Sequence, residues 1–185
     1  MAYFSIRPCL IFSLVILSLL LATPSFASKV VDVNVICAQT RDPSFCSEVL
    51  NSKPGGAKGA DLISLAQHSI GVARVKATKT VNLINTLIAT NANDPRAKAH
   101  YSTCLTYFDK YRGALKLLYY VNQVLRMQDY FGLLKAATLV ISNVEGCITG
   151  DDPTYFDSSD LPRSADNFEK VIDVILTIAK FLINK

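Results

Sequence analysis

The chain of 185 residues contains no tryptophan and only two histidines, His68 and His100. The histidines do not have the spacing of zinc ligands and no C-x-x-C motif occurs, so the sequence predicts no zinc site. Charged residues make up only 18% of the chain, and the formal net charge is +4 without any run of lysine or arginine. Charge this sparse and dispersed does not indicate a nucleic-acid-binding protein.

Catalytic motifs are also missing. The three glutamates, Glu48, Glu145 and Glu169, lie on separate predicted elements, and no Glu-x-x-His motif of a di-iron bundle occurs. The acidic segment 150–160 lacks the central glycine and the terminal glutamate of a calcium loop, so we expect a flexible connector there. Neither a G-x-S-x-G motif nor a phosphate-binding loop is found. The sequence therefore predicts a non-enzymatic binding protein that needs no metal or cofactor.

The N-terminus has the pattern of a secretory signal peptide. Arg7 precedes a largely apolar stretch from Cys9 to Ala22, and the small residues Ser25 and Ala27 follow it. A basic start, an apolar centre and a small-residue cleavage site are typical of such a leader. The apolar stretch is shorter than the roughly 20 residues that span a bilayer. We expect cleavage after residue 27, which leaves 28–185 as the secreted domain, with no membrane attachment.

Four cysteines remain after this cleavage: Cys37, Cys46, Cys104 and Cys147. An even number in an oxidising compartment predicts disulfides, and four cysteines allow three pairings. Eight residues separate Cys37 from Cys46, a spacing that suits a local bridge across a short hairpin and leaves Cys104 to pair with Cys147. The sequence thus predicts two disulfides.

Hydrophobic periodicity predicts an all-α fold. Apolar and small residues recur every three or four positions through 61–90, which indicates a long amphipathic helix whose start Asp61 can cap. Three later segments carry similar patterns: 95–126, 130–144 and 161–183.

Two shorter helices are predicted before these four, at 30–37 and 44–50, with a turn at Pro43 between them. Long helices joined by short connections pack antiparallel. We therefore predict an up-down-up-down four-helix bundle (57–185), preceded by an N-terminal helical hairpin (28–56).

The residues from Cys37 to Cys46 form the pattern C-x-x-T-x-x-P-x-x-C, and Asp61 opens the pattern D-L-x-x-L-A-x-x-S-I. With Cys104 and Cys147 following, the mature chain resembles the plant invertase and pectin methylesterase inhibitor family. The resemblance implies a four-helix bundle with a helical hairpin and the two disulfides above. It also implies a monomer that inhibits a carbohydrate-active enzyme in a 1:1 complex, in the cell wall or apoplast or, alternatively, in the vacuole.

The stretch from Arg126 to Phe131 bears on the target enzyme. Invertase-directed members of the family resemble one another in a Pro-Lys-Phe tripeptide between the second and third bundle helices, and this chain lacks it. Its Asp129-Tyr130 pair is similar to the pectin methylesterase-directed branch, which covers the substrate cleft with its second, third and fourth bundle helices. The resemblance implies pectin methylesterase as the partner, with invertase as the alternative.

One departure concerns charge. Esterase-directed members often carry acidic residues two, six and nine positions after the third cysteine, where this chain has Thr106, Lys110 and Gly113. Asp109 is the only acid nearby, and Lys110 reverses the sign of a charge that would steer association. The partner-binding residues that the resemblance implies are Thr106, Asp109, Lys110, Gly113, Asp129, Tyr130 and Phe131, and exposed aromatics such as Tyr119 and Tyr120 could add anchors.

Two other classes of protein are compatible with a helical bundle. One is a carrier that holds an apolar ligand in its core, and the other is a wall protein that binds pectin through its charge. A small net charge spread along the whole chain argues against the second.

Overall fold

A computed structural model describes residues 30–149 and 154–184 of the chain. The predicted signal peptide with its cleavage site lies outside these residues, as does segment 150–153 of the acidic connector. The described part is all-α, as predicted, and contains no named strand. Its helices are α1 (Val33–Cys37), α2 (Pro43–Asn51), α3 (Leu62–Thr90), α4 (Pro95–Phe108), α5 (Ala114–Arg126), α6 (Tyr130–Thr149) and α7 (Leu161–Ile183).

The cysteine-containing pattern builds the pair α1–α2. The Cys37–Cys46 disulfide joins the two helices with their Cα atoms 5.4 Å apart, as predicted. Between them, the buried Thr40 hydroxyl donates to the Cys37 carbonyl at 2.7 Å. Asp42 then caps α2 by accepting from the Phe45 N–H at 3.0 Å, and proline follows at the first helical position. The polar residues of the pattern therefore fix the turn that lets the disulfide close.

The first helix is shorter than predicted. It begins at Val33 rather than Val30, because the Asp32 carboxylate caps it by accepting from the Asn34 N–H at 2.7 Å. Val30 instead forms an isolated antiparallel bridge with Asp61.

The long helices pack around one core. Helix α3 contacts α4, α5 and α7, and α6 contacts the same three helices, so that α3 and α6 occupy opposite corners of a bundle. Phe108 and Phe168 meet in the core with their ring centroids 5.6 Å apart. The Cys104–Cys147 disulfide ties α4 to α6, which confirms the second predicted pairing. Helices α1 and α2 pack on α7, and α2 also contacts α3.

The second bundle member differs most from its prediction. A single helix over 95–126 was expected, but α4 ends at Phe108 and α5 begins at Ala114. The third predicted helix extends to Thr149 rather than ending at residue 144. By length and composition alone this helix, α6, could cross a membrane. Its buried apolar residues instead pack against neighbouring helices.

The described part of the acidic connector packs against α4. Asp157 lies nearly buried against α4, where it accepts from the Tyr101 hydroxyl at 2.9 Å. His100 Nε2 lies 3.6 Å from the other carboxylate oxygen of Asp157, with both side chains less than a tenth exposed. His100 is therefore a packed residue that helps to anchor the connector.

Charged side chains dock the pair α1–α2 onto α7. The backbone N–H of Arg41 donates to the Asp173 carboxylate at 2.8 Å. The Arg41 guanidinium contacts the Asp166 carboxylate at 3.0 Å. Lys170 on α7 reaches Asp42 at 3.1 Å. Since α1 and α2 are too short to be stable alone, these contacts and the disulfide hold them in place.

Glu169 on α7 also contacts Arg41, with its carboxylate 3.4 Å from the guanidinium. Burial raises the pKa of Glu169, the nearby Arg41 guanidinium lowers it, and the charges of Glu145 and Asp166 raise it, with a net increase. A carboxyl group with a raised folded-state pKa stabilises the fold at low pH, and this contribution is lost as the pH rises through that pKa.

We therefore expect Glu169→Gln to stabilise the protein at pH 7 and to change little at about pH 3.5. The measurement is the free energy of urea-induced unfolding at both values, with Glu48→Gln on the exposed side of α2 as the control. An equal effect of Glu169→Gln at the two pH values would contradict this account.

Candidate functional site

The break between α4 and α5 is organised by one carboxylate. Asp109 Oδ1 accepts from three backbone N–H groups, those of Tyr111 at 2.9 Å, Arg112 at 2.8 Å and Gly113 at 3.0 Å. Burial opposes ionisation of Asp109, but these N–H groups and the Arg112 charge hold its pKa below the usual value. Oδ1 of Asp109 is thus hydrogen-bonded to the backbone of the break.

Glycine is required where the break ends. A Cβ at Gly113 would clash with the backbone nitrogen of Asp109 and would lie 2.6 Å from the carbonyl group of Tyr107. Real Cβ atoms do not approach backbone so closely, so an acidic side chain at this position is incompatible with the break. The missing acid at residue 113 is therefore a consequence of local geometry.

The other residues near the break have different exposures. Thr106 is half-buried, and its hydroxyl donates to the Thr103 carbonyl at 2.8 Å. Lys110 is exposed, with Nζ 5.2 Å from the centroid of the Tyr111 ring. Tyr111 is 76% exposed. Lys110 and Tyr111 are therefore available to a partner, whereas the Thr106 hydroxyl is already bonded.

A tight turn connects α5 to α6. Gln128 has a positive φ of 58°, and Asp129 accepts from the Gly132 N–H at 2.8 Å, which caps α6. A Cβ at Gly132 would lie too close to this carboxylate, so glycine leaves room for the cap. Asp129 remains exposed while it caps.

Exposed apolar side chains lie at this turn and along the helices on either side of it. Tyr130 is half-buried against the core, whereas Phe131 is 65% exposed. Phe131 and the other exposed apolar residues on α5, on α6 and at the turn between them are together called the α5–α6 face. Its members are Tyr119, Tyr120, Met127, Phe131 and Leu139.

The seven residues predicted to bind a partner fall into two groups. Thr106 lies on α4 and Asp109, Lys110 and Gly113 lie in the break before α5, whereas Asp129, Tyr130 and Phe131 lie beyond the end of α5. A helix of 13 residues separates the groups by roughly 20 Å, and Tyr119 and Tyr120 lie between them on α5. Met127 and Leu139 were not predicted as candidates, because their exposure depends on packing that the sequence pattern does not show.

Cations dominate the charges near the α5–α6 face. Exposed lysines and arginines there outnumber the exposed acidic residues, one of which is Asp129 at the turn. The exposed cations are Lys110, Arg112, Lys116, Arg126 and Lys135. Lys116 Nζ also lies 5.7 Å from the centroid of the Tyr119 ring. Within 30–149 and 154–184, no group of three His, Cys, Asp or Glu side chains could hold a metal ion. The arrangement suits recognition of a protein surface rather than catalysis.

The family model for plant invertase/pectin methylesterase inhibitors matches residues 32–178. The chain belongs to this family. A pectinesterase inhibitor of Actinidia deliciosa is 31% identical over 155 residues, which cover 81% of this chain and 78% of the relative. Pectinesterase inhibitor 2 of Arabidopsis thaliana is 28% identical over 160 residues, covering 86% and 89%. The family and these relatives are enzyme inhibitors rather than enzymes.

Solved structures support the fold of this family member. A crystal structure of a mutant form of a pectin methylesterase inhibitor from Arabidopsis gives a TM-score of 0.66 at 23% identity, covering 80% of this chain and 95% of that one. A second inhibitor structure from Arabidopsis thaliana gives 0.60 at 22% identity, covering 81% and 95%. At this identity the likeness concerns the fold.

We expect Gly113→Ala to destabilise this inhibitor-family chain by about 1–3 kcal/mol, because the added methyl group forces the backbone of the break apart. Gly71→Ala is the matched control, since a Cβ at residue 71 would meet nothing within 4 Å. This substitution should stabilise the protein by about 1 kcal/mol, because alanine favours a helix more than glycine does. The measurement is the midpoint of urea unfolding for both variants. Equal shifts of the same sign would contradict the close contact at Gly113.

Proposed function

We propose that the chain is a secreted inhibitor of a pectin methylesterase, which it binds as a monomer in a 1:1 complex over the substrate cleft. The observation that carries the proposal is the exposed aromatic surface of the α5–α6 face, on a chain whose relatives are named pectinesterase inhibitors. Aromatic side chains supply much of the affinity in protein interfaces. The absence of the Pro-Lys-Phe tripeptide at this turn favours an esterase over an invertase.

The proposed mechanism is occlusion by a rigid surface. The bridge Cys104–Cys147 lies beside the break, the Asp109 carboxylate holds three N–H groups of the break, and Asp129 caps α6. A surface fixed in this way loses little conformational entropy on binding. The esterase cleft would then be closed to its polymeric substrate without any chemistry by the inhibitor.

Secretion is part of the proposal. The predicted leader at 1–27 and two disulfides fit the oxidising extracellular space, and the cell wall or apoplast is where a pectin-modifying enzyme meets its substrate. The vacuole is the alternative compartment, and cell-wall or vacuolar invertase is the alternative target.

The direct test is a paired titration of the oxidised chain 28–185 against pectin methylesterases and against cell-wall and vacuolar invertases at mildly acidic pH. We expect esterase activity to fall linearly to an equivalence point of one inhibitor per enzyme, with invertase unaffected. Loss of invertase activity alone, or no loss of either activity from the folded protein, would contradict the proposal.

Phe131→Ala tests the α5–α6 face. Because Phe131 projects beside the turn, we expect its truncation to weaken inhibition of the esterase at least about tenfold, as for an interface hot spot. Val35→Ala is the control, since Val35 is also exposed but lies on α1, which contacts neither α5 nor α6. An unchanged inhibition constant for Phe131→Ala would show that the enzyme binds elsewhere.

Lys110→Glu tests the role of charge. The cationic surroundings of α5 favour an esterase with acidic groups around its cleft. We expect Lys110→Glu to slow association with an acidic esterase isoform, to accelerate association with a basic one, and to lose both effects at high salt. Stopped-flow measurement of association rates, with Lys98→Glu on α4 as the control, makes the comparison. Equal changes for both isoforms would contradict charge selection at Lys110.

A further inference from the structure

A second surface of the chain has the features of a ligand groove. It lies between the residues that follow α2 and the outer side of α3, and its volume is about 580 Å³. Ser52 and His68 line it together with Val72, Lys76 and Lys79. No residue of the α5–α6 face contributes to it, so the proposed inhibition leaves the groove unexplained.

The charge of the groove is entirely positive. Helix α3 contains Arg74, Lys76 and Lys79 but no aspartate or glutamate. In the described part of the chain, neither lysine of the groove has a carboxylate within ion-pair distance. The nearby Asp42 is already paired with Lys170 at 3.1 Å. Two cations one helical turn apart are thus left for an anionic ligand.

The position of Lys76 is fixed by packing. Its Nζ lies 5.1 Å from the centroid of the Phe45 ring on α2, a distance at which the ring attracts an ammonium group. Lys79 is exposed at the same end of the groove. One ammonium group is therefore preorganised and the other can adjust to a ligand.

Gly71 is the least expected residue of the groove. It lies within α3, where glycine lowers helix stability, and yet a Cβ at this position would meet nothing within 4 Å. No packing contact therefore requires glycine. Because glycine has no Cβ, a ligand can approach the backbone closely at this position. A ligand that lies on Gly71 would therefore explain why the helix has a glycine here.

The remaining lining suits a saturated ring with hydroxyl groups. Val72 is half-buried and Val75 is 56% exposed, so they offer an apolar surface without an aromatic ring for base stacking. At the far end, His68 Nε2 lies 2.9 Å from the Val49 carbonyl and 3.0 Å from Ser52 Oγ. The hydroxyl oxygen of Ser52 can accept a hydrogen bond from a ligand hydroxyl.

We propose that this groove binds an oligomer of uronic acid. Its carboxylates would lie against Lys76 and Lys79, its C–H faces on Gly71 and Val75, and its hydroxyl groups at Ser52. The inference rests on the proposed function for the source of the ligand, since hydrolysis of pectin methyl esters by a pectinesterase leaves free uronate carboxylates. The groove would hold the inhibitor on the polymer that its target has already de-esterified.

The experiment is a calorimetric titration of the oxidised, secreted chain with de-esterified oligogalacturonate of defined length, without any enzyme present. We expect saturable binding that weakens with added salt. The fully methyl-esterified oligomer of the same length should not bind. The double variant Lys76→Gln/Lys79→Gln should lose at least about tenfold in affinity, which is about 1.4 kcal/mol. Lys98→Gln/Lys135→Gln, which removes two lysines outside the groove, should bind like the parent.

Gly71→Ala gives an independent readout. We expect it to raise the melting temperature by a few degrees and yet to weaken oligogalacturonate binding, because the methyl group occupies the space where the sugar lies. If Gly71 had only a structural role, the substitution would raise the melting temperature without weakening oligogalacturonate binding.

Three results would overturn the inference: unchanged binding by the double lysine variant, equal binding of the methyl-esterified oligomer, or equally tight binding of a sulfated oligosaccharide of the same length. The last would show an unselective cationic patch. Esterase inhibition by Lys76→Gln/Lys79→Gln, assayed separately, should equal that of the parent. Oligogalacturonate binding is measured without the esterase, and esterase inhibition is measured in a separate assay. A wrong inference about the groove can therefore be told apart from a wrong proposed function.

Discussion

The structure depends on the Asp109 carboxylate and the three backbone N–H groups that it binds. These bonds end α4 and begin α5, and so decide which residues of the second bundle member face solvent. Without the break, a continuous helical pattern would place either Tyr111 or Arg112 on its inward stripe. With it, Tyr111 is exposed, Gly113 is buried, and Lys110 lies on the surface. The charge and shape offered to a partner at the start of α5 follow from this one carboxylate.

Much of the fold could be predicted because its signals are local. Asp61 caps α3 through its own side chain, Pro43 fits the first helical position of α2, and the spacing of Cys37 and Cys46 matches the short turn between α1 and α2. These features need only a few neighbouring residues. They were therefore legible without the tertiary structure.

The break was missed because helical periodicity continues on both sides of it. Phe108 and Leu118 are both buried, and the residues between them include apolar side chains at helical spacing, so the pattern gives no sign of an interruption. The signal that was present is Asp109 followed by Gly113, but its meaning depends on the close approach of Tyr107. A contact of this kind is set by packing, which the sequence pattern does not show.

The net charge of +4 concealed how the charges are distributed. The acids of α7 are largely neutralised by Arg41 and Lys170 in the docking of α1 and α2, whereas α3 carries only cations. A sequence-wide sum averages these two surfaces to a small value, which is why pectin binding was disfavoured from the sequence. Local pairing, rather than net charge, decides whether a cation remains available.

Two separate surfaces would give the inhibitor a physical advantage in a polymer wall. A protein held weakly on de-esterified uronate stays near the enzyme that produces this uronate, so that its local concentration around the enzyme rises without a stronger contact at the α5–α6 face. Weak, salt-sensitive binding in the groove suits this role better than tight binding, because a tightly held inhibitor could not reach the next enzyme molecule. The two unpaired lysines of the groove provide attraction of that modest kind.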